Sequence, residues 1–529
     1  MPIICCFSAP ARGWPNSCSL SCVRRFRLST SSRSAMKLVG LVLIVVLSAV
    51  STYGVVSPPV PLNLRILQPG FPALALQPTN QTVTVGQSAT FTASATGSAG
   101  LAYQWYFDRS PIAGATSFAY TRNGCQLSDS GKSCYAVVSN SIGGVQSSLA
   151  TLTVNAGPVY FVSTNGSATS SGTSASPWPL SYALSKLAPG VTLTIMPGLY
   201  TGPFVIATAQ GSSSLPMTIR SQSKWGAVIA NSSSFGIAAS SSVGYQASFV
   251  VFDGLCVSNN ASDGIGAWQN STIRNCWIVG NGMQGVNISS PTAASNVVEC
   301  CVIENNGTNP GSPGHYHGIY LAGQGNIIRG NVIRYNNTGS GIQLYTEDPG
   351  EWDDSNYICN NLTYGHNSRY GVTMWNGNEY GGGTLLGTNF LLSNTLLDGA
   401  AISYGTACVS NNIILPSPLN PRLPIAASVS RIPSIQSDYN LSVMALSPAG
   451  AHDVVAPLPY FVNTNSGLYW LTKTSPARGI ASASTAPPLD FFGRNQSAMT
   501  DVGAFQYSAI LETDTRVLDP SPSDYWQWY

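Results

Sequence analysis

Five of the chain's acidic residues, Glu347, Asp348, Glu351, Asp353 and Asp354, fall within eight positions of a protein with only 21. Hard cations collect several carboxylate and carbonyl oxygens, so Glu347, Asp348, Asp353 and Asp354 are candidate calcium ligands, although their spacing does not match an EF-hand loop. Two carboxylates in one loop could instead flank a glycosidic bond, with Asp348 the candidate catalytic group. The plainer alternative is a solvated acidic loop. A second cluster holds most of the four histidines. His315 and His317 flank Tyr316, and His366 is followed by Arg369 and Tyr370. A histidine titrating near neutrality can take a proton, and Arg369 can neutralise a uronate carboxylate, so His317, His315 and Arg369 are candidate catalytic residues. The same histidines could simply hold a loop.

Aromatic residues sit beside these polar groups. Tyr320, Tyr345, Trp352, Tyr370 and Trp375, with Glu379, suit a sugar polymer, since rings stack on pyranose faces while polar groups bond hydroxyls. The alternative is aromatic packing beneath loops. Neither CxxC nor paired Cys/His spacing occurs, which argues against a zinc site.

The elements that position these residues show in a repeat. The pattern apolar, any, small or polar, Asn or Cys, any, apolar begins at Ile273, Val298, Ile328, Ile358, Leu391 and Cys408, with a weaker copy at Phe252. Most copies restart with Gly or Ala and an apolar alternation, at 264, 285, 318, 341, 371 and 400. Two short strands per repeat, with apolar spacing of two rather than 3.6, predict stacked parallel coils and exclude a helical or leucine-rich repeat. Stacking at about 4.8 Å places equivalent residues in columns. The fourth slot reads Leu255, Cys276, Cys301, Asn331, Asn361, Asn394 and Asn411, so Cys276 and Cys301 are small column fillers in an asparagine ladder. Counted back from the restart glycines, His317 shares a column with Asp263, Gln284, Ser340 and Tyr370. His317 and Tyr370 then lie two coils, or roughly 10 Å, apart. Three insertions interrupt the coils, at Asn305–His317, Thr346–Asn356 and Asn376–Thr388, and loops on one face of such a stack can build a groove.

Residues 160–202 open with Tyr160, Val162, Gly166, Gly172, Thr173 and Pro177 and close with Pro197, Gly198 and Tyr200. Ser181–Leu187 reads as one short helix. Asp438-Tyr439-Asn440, Ser475-Pro476-Ala477, Asp490, Gly493, Arg494, Asp501, Gly503 and Ala504 punctuate the other end. In this order the motifs resemble the caps of pectate-lyase-like right-handed β-helix proteins over about residues 158–507. That resemblance implies a polysaccharide lyase or glycoside hydrolase. Departures from it matter. No lysine occurs between Lys224 and Lys473, which removes the lysine base of several β-helix lyases unless Lys224 enters the groove. The Gly-His-Gly of polygalacturonases becomes Gly314-His-Tyr-His-Gly318, and the Asp-Pro-His-Asp of alginate epimerases becomes Asp348-Pro-Gly-Glu351.

Between Leu76 and Asn155, roughly seven short alternating strands with Trp105 in a central one predict a β-sandwich. Asp129-Ser-Gly131 before CYAVVSN resembles the immunoglobulin-like fold. Its usual inter-sheet cysteines are replaced by Ala93 and Ala136. Cys125 and Cys134 form either an alternative disulfide or two buried thiols.

Six positive charges precede residue 38 with no acid among them, and Leu38–Val50 is a short apolar run followed by small residues. That order reads as a secretory signal rather than a membrane span, and Met36 is an alternative start. Taking those six charges from the overall +2 leaves a net −4, a poor nucleic-acid binder. With only 8% charged residues, surface polarity falls to Ser, Thr, Asn and Gly, which suit turns and stacked strands.

The expected fold is all-β, a single-stranded right-handed parallel β-helix preceded by a small immunoglobulin-like β-sandwich. The segments are 1–54 signal, 55–75 Pro-rich linker, 76–156 sandwich, 157–510 β-helix with caps and 511–529 tail. The expected role is an exported carbohydrate-active protein meeting a polysaccharide or cell-surface glycan, with calcium the one cofactor suggested. A non-catalytic glycan-binding or adhesion protein is the alternative.

Overall fold

The computed structural model describes residues 70–207, 209–239, 247–309, 311, 314–346, 353–366, 369–376, 388–402, 406–416, 425–427, 434–457, 459–464, 468–487, 490–491 and 501–507. The apolar run at Leu38–Val50 and the tail 511–529 lie outside these residues.

In the sandwich, alternation puts Phe91, Trp105, Ala136 and Leu152 fully inside. Gln81–Thr84, Ala150–Asn155, Ser133–Asn140, Ala102–Phe107 and Ser110–Pro111 form one sheet, with Gly143–Gln146 paired to Ser133–Asn140. Ala89–Thr92 pairs with Ala119–Arg122. Ala73–Leu76 pairs with Ser94–Thr96, so strand structure begins within the segment read as linker. The indole N–H of Trp105 donates to the Ser117 carbonyl at 2.9 Å. Cys125 and Cys134 are two separate buried thiols in this core, not a disulfide. Both pack among its apolar side chains, and burial pushes the Cys134 thiol up to about 12. The buried Asp129 is held by Arg122 at 2.7 and 2.9 Å, with the guanidinium also over Phe107.

From Val159 the chain winds through three parallel sheets of eleven, eleven and nine strands among the described residues. One coil runs Thr272–Arg274, Trp277–Val279, Val286–Ala294, and the next runs Val297–Glu299, Val302–Glu304, Ile319–Gln324. Each coil therefore has three strands, not two. The repeat motif spans the first two, which share a corner too short to break the apolar pattern. Its first residue takes the left-handed conformation: Asn275, Cys300, Gly330, Asn360, Ser393 and Asn411 have φ between 54° and 62°. These are mostly residue types that tolerate that conformation.

The next corner residue faces inward and builds the expected ladder. The Asn331 side chain donates to Asn361, Asn361 to Asn394 and Asn394 to Asn412, each at 3.0 Å. Asn412 donates to Asn440 at 2.9 Å, and Asn440 to the Asp453 carboxylate at 3.0 Å. The column thus contains Asn412 where the sequence pattern placed Asn411. Of two adjacent asparagines, Asn411 takes the left-handed corner, and its side chain donates to the Ser482 carbonyl. Cys276 and Cys301 fill the same column. The Cys301 thiol donates to the Ile273 carbonyl, as the Asn331 amide does to Val298 one coil on. The restart read at Ala400 is likewise one residue late, because Val372 pairs with Ala400 and Gly399 is the glycine.

Val, Ile and Leu from all three sheets fill the interior. The helix Leu180–Leu184, shorter than the segment read from sequence, buries Leu180, Ala183 and Leu184 against the first coils.

Candidate functional site

All three insertions adjoin strands of the third sheet: Ile319–Gln324, Ile342–Thr346 and Val372–Asn376. Strand alternation puts Ile319, Leu321, Ile342, Leu344, Val372 and Met374 in the core. The intervening residues face outward in two rows. In register, Asn287, Tyr320, Gln343 and Thr373 form one row. Tyr345 and Trp375 form the second, and the Trp375 side of that row is open, at 41% exposure. The Tyr320 and Tyr345 rings lie 6.2 Å apart.

At the amino-terminal rim, the column counted from the glycines is present. The backbone N–H groups of Gly264, Gly285, Gly318 and Gly341 donate to the carbonyls of Gln284, His317, Ser340 and Tyr370, and Gly236 to that of Asp263. A polar chain runs across these coils. The Asp263 carboxylate accepts the Gln284 backbone N–H at 2.9 Å and the Asn287 amide at 2.8 Å. Burial raises its pKa. Gln284 donates to the His315 carbonyl and accepts the His317 backbone N–H. The Ser340 and Thr373 hydroxyls lie 2.6 Å apart. Of the residues in this polar chain, Asp263 and Gln284 lie on the column counted from the glycines, whereas Asn287 lies off it as the register partner of Tyr320 and carries no such sequence signal.

The histidines divide by environment. His317 is 1% exposed, and its Nδ1 accepts the Ser340 backbone N–H at 2.9 Å. Burial, then the charges of Arg369, His315 and His366, bring its pKa down to about 3, so it is neutral with the proton on Nε2. Its ring lies 6.0 Å from that of Tyr320. His366, also buried, belongs to another ladder, that of Asn260, Asn281, Asn306 and Asn336. Its Nδ1 accepts the Asn336 backbone N–H, and its own backbone N–H donates to the Asp398 carboxylate. Burial lowers its pKa to about 3 and raises that of Asp398 to about 6. His315 is exposed. The Arg369 guanidinium packs against Gly314, the residue before it. Among the described residues no carboxylate lies within ion-pair distance of Arg369. His315, His317, Arg369 and Tyr320 are thus gathered at one rim, with Tyr370 on its column.

Asp353 and Asp354 lie beyond the opposite ends of these strands. Their carboxylates accept the backbone N–H groups of Gly323 and Thr388, which ties the turn together. Among the described residues no group of three or more Asp, Glu, His or Cys could hold a metal ion. Glu347, Asp348, Glu351, Trp352 and Glu379 lie outside the described residues. Lys224 sits in the turn before Ala227–Ala230, its ammonium 4.5 Å from the Trp225 ring, and so belongs to the corner between the first and second sheets.

Residues 160–403 match a protein family described as Pel9A-like, right handed beta helix region. Among solved structures, pectate lyase Pel9A is similar at 17% identity over 66% of this chain and 96% of its own, with a TM-score of 0.44. An alginate lyase from Paenibacillus sp. str. FPU-7 is 16% identical over 51% of this chain and 93% of its own, TM-score 0.34. Titin M4 is similar at 21% identity over 17% of this chain and all of its own, TM-score 0.15. No curated protein sequence matches the chain. No helix among the described residues is long and apolar enough to cross a membrane.

Proposed function

Starting from a right-handed parallel β-helix protein of the pectate-lyase-like kind, we propose that this chain is an exported polysaccharide lyase acting on a uronate-containing polymer along the outward face of its third sheet. One observation carries this reading. Arg369 packs beside the exposed His315 at the rim of two adjacent outward rows, one carrying Tyr320 and the next Tyr345 and Trp375. Sugar rings stack on these aromatic side chains, and Arg369 pairs with a uronate carboxylate. That pairing draws charge from C5 and acidifies its proton. His315 takes the proton, the C5 electron pair forms the C4–C5 double bond, and the C4–O bond breaks. The departing oxygen is protonated by water. His317, whose Nδ1 is committed to Ser340, positions the loop rather than serving as the base. Calcium at Glu347 and Asp348, with Asp353 and Asp354 at the loop's base, would add a second carboxylate anchor.

That commitment of His317 also favours the second reading, a glycan-binding protein without catalysis. Incubating the full chain with uronate and neutral polymers, with and without calcium, separates the two. The lyase reading expects ultraviolet-absorbing unsaturated ends from a uronate polymer, lost in Arg369→Ala and His315→Ala. Binding without product from any polymer leaves the glycan-binding reading, and new reducing ends without unsaturation point to hydrolysis.

A further inference from the structure

The outward face of the first sheet carries a cavity of about 680 Å³, on strands other than those of the proposed groove. Its floor follows from register. One outward row reads Val297, Ile327, Tyr357, Phe390 and Cys408, and the next reads Arg274, Glu299, Arg329, Cys359 and Leu392. The carboxy-terminal segment from Ser484 to Pro487, with Asp490 and Phe491, forms the opposite wall.

The floor changes character along the helix axis. Tyr357 and Phe390 stack face to face, centroids 4.4 Å apart and planes within 5°. Because they are register partners on successive coils, this stack runs along the axis. Its next position is Ile327, which has no ring to continue it, and Tyr357 remains 40% exposed. The adjacent corner is Gly330, which carries no side chain, where neighbouring coils carry Cys300 and Asn360. A six-membered ring laid over Ile327 extends the stack.

Polar groups around that position identify the ring. Arg329 is held by Glu299 at 2.6 and 2.8 Å, and Arg274 by Asp253 at 2.9 Å. The guanidinium charges are matched, so the site favours a neutral ligand over an anion. Among the described residues the buried Arg274 Nε–H has no hydrogen-bond partner, and Ser484 and Thr485 add hydroxyls to the wall. Stacking surface flanked by charge-balanced Arg, Glu, Asn and hydroxyl groups suits a pyranose. The volume exceeds that of a single sugar unit and is in the usual range for small-ligand sites.

We propose that this cavity is a second saccharide site, for one or two residues of a neutral sugar, with a pyranose over Ile327 against Tyr357. It is independent of any chemistry at the third sheet. The test is calorimetric titration of the full chain with neutral disaccharides (cellobiose, maltose, galactobiose) and with digalacturonate, plus hydrogen-exchange mapping of whichever binds. A neutral disaccharide should bind and protect backbone amides in 326–331 and 357–361. Tyr357→Ala and the cavity-filling Ile327→Trp, each checked for an unchanged unfolding curve, should weaken binding about tenfold or more. If Ile327→Trp does not fold, Tyr357→Ala decides. No neutral sugar binding, protection confined to 319–324 and 342–346, tighter digalacturonate binding in the cavity, or full affinity in a folded Tyr357→Ala would each overturn the proposal.

Discussion

Each ladder asparagine has two jobs. Asn361 accepts both the backbone N–H and the side-chain amide of Asn331, and its own amide donates to Asn394 and to the Ile328 carbonyl. Asn361→Ala leaves those buried groups unpaired and should cost about 2–4 kcal/mol in a denaturant titration. His366 makes the opposite case. It occupies an asparagine position, and among the described residues both its Nε2 and the Asn336 side-chain amide nitrogen are buried without partners. His366→Asn supplies an amide in their place and should raise stability by about 1 kcal/mol. The buried histidines also set an acid response. His317 and His366 titrate near 3 when folded and about 6.5 when unfolded. Their contribution is therefore complete above about pH 6.5 and falls as the pH drops toward 3, by up to about 1.4 kcal/mol per unit for each histidine. Asp398, with its folded pKa raised to about 6, opposes this between its unfolded value near 4 and 6. The net loss of stability on acidification should be shallower in His366→Asn, as thermal unfolding at pH 4 to 7 would record.

At the scale of the element, the restart glycines are required by close approach. A Cβ on Gly318 would lie 2.6 Å from the Gly341 carbonyl oxygen and 2.7 Å from the Asn336 amide nitrogen. Gly318→Ala should therefore destabilise by about 1–3 kcal/mol while leaving the strand content of circular dichroism intact. Such constraints made the coil legible in sequence. Columns of Asn, Gly and alternating Ile or Val repeat because each coil repeats the same contacts. The pattern is ambiguous where the repeat is degenerate. Asn411-Asn412 and Gly399-Ala400-Ala401 each offer two registers to a pattern, and only strand pairing chooses between them. The corner between the first two strands was invisible for a related reason. Its residues alternate in polarity like a continuing strand, and their left-handed φ leaves no mark beyond a preference for Asn and Gly. The chemistry was less legible still. His315 and His317 are two residues apart in sequence, but burial makes one a neutral structural ring and leaves the other at the surface.

For the whole molecule, three outward sheet faces carry different surfaces. The second sheet bears Glu304, Arg334 and Tyr364 in a hydrogen-bonded row that Trp277 joins from the neighbouring row, partly covered by the carboxy-terminal segment through Tyr469. The first sheet holds the cavity roofed by that segment, and the third gathers His315, Arg369 and the aromatic side chains Tyr320, Tyr345 and Trp375. A crystal structure of the full chain with an oligouronate tests this assignment most directly. The account predicts sugar rings over Tyr320, Tyr345 and Trp375, with a carboxylate about 3 Å from the Arg369 guanidinium. An oligouronate seated on the first or second sheet, with the Arg369 rim empty, would contradict it.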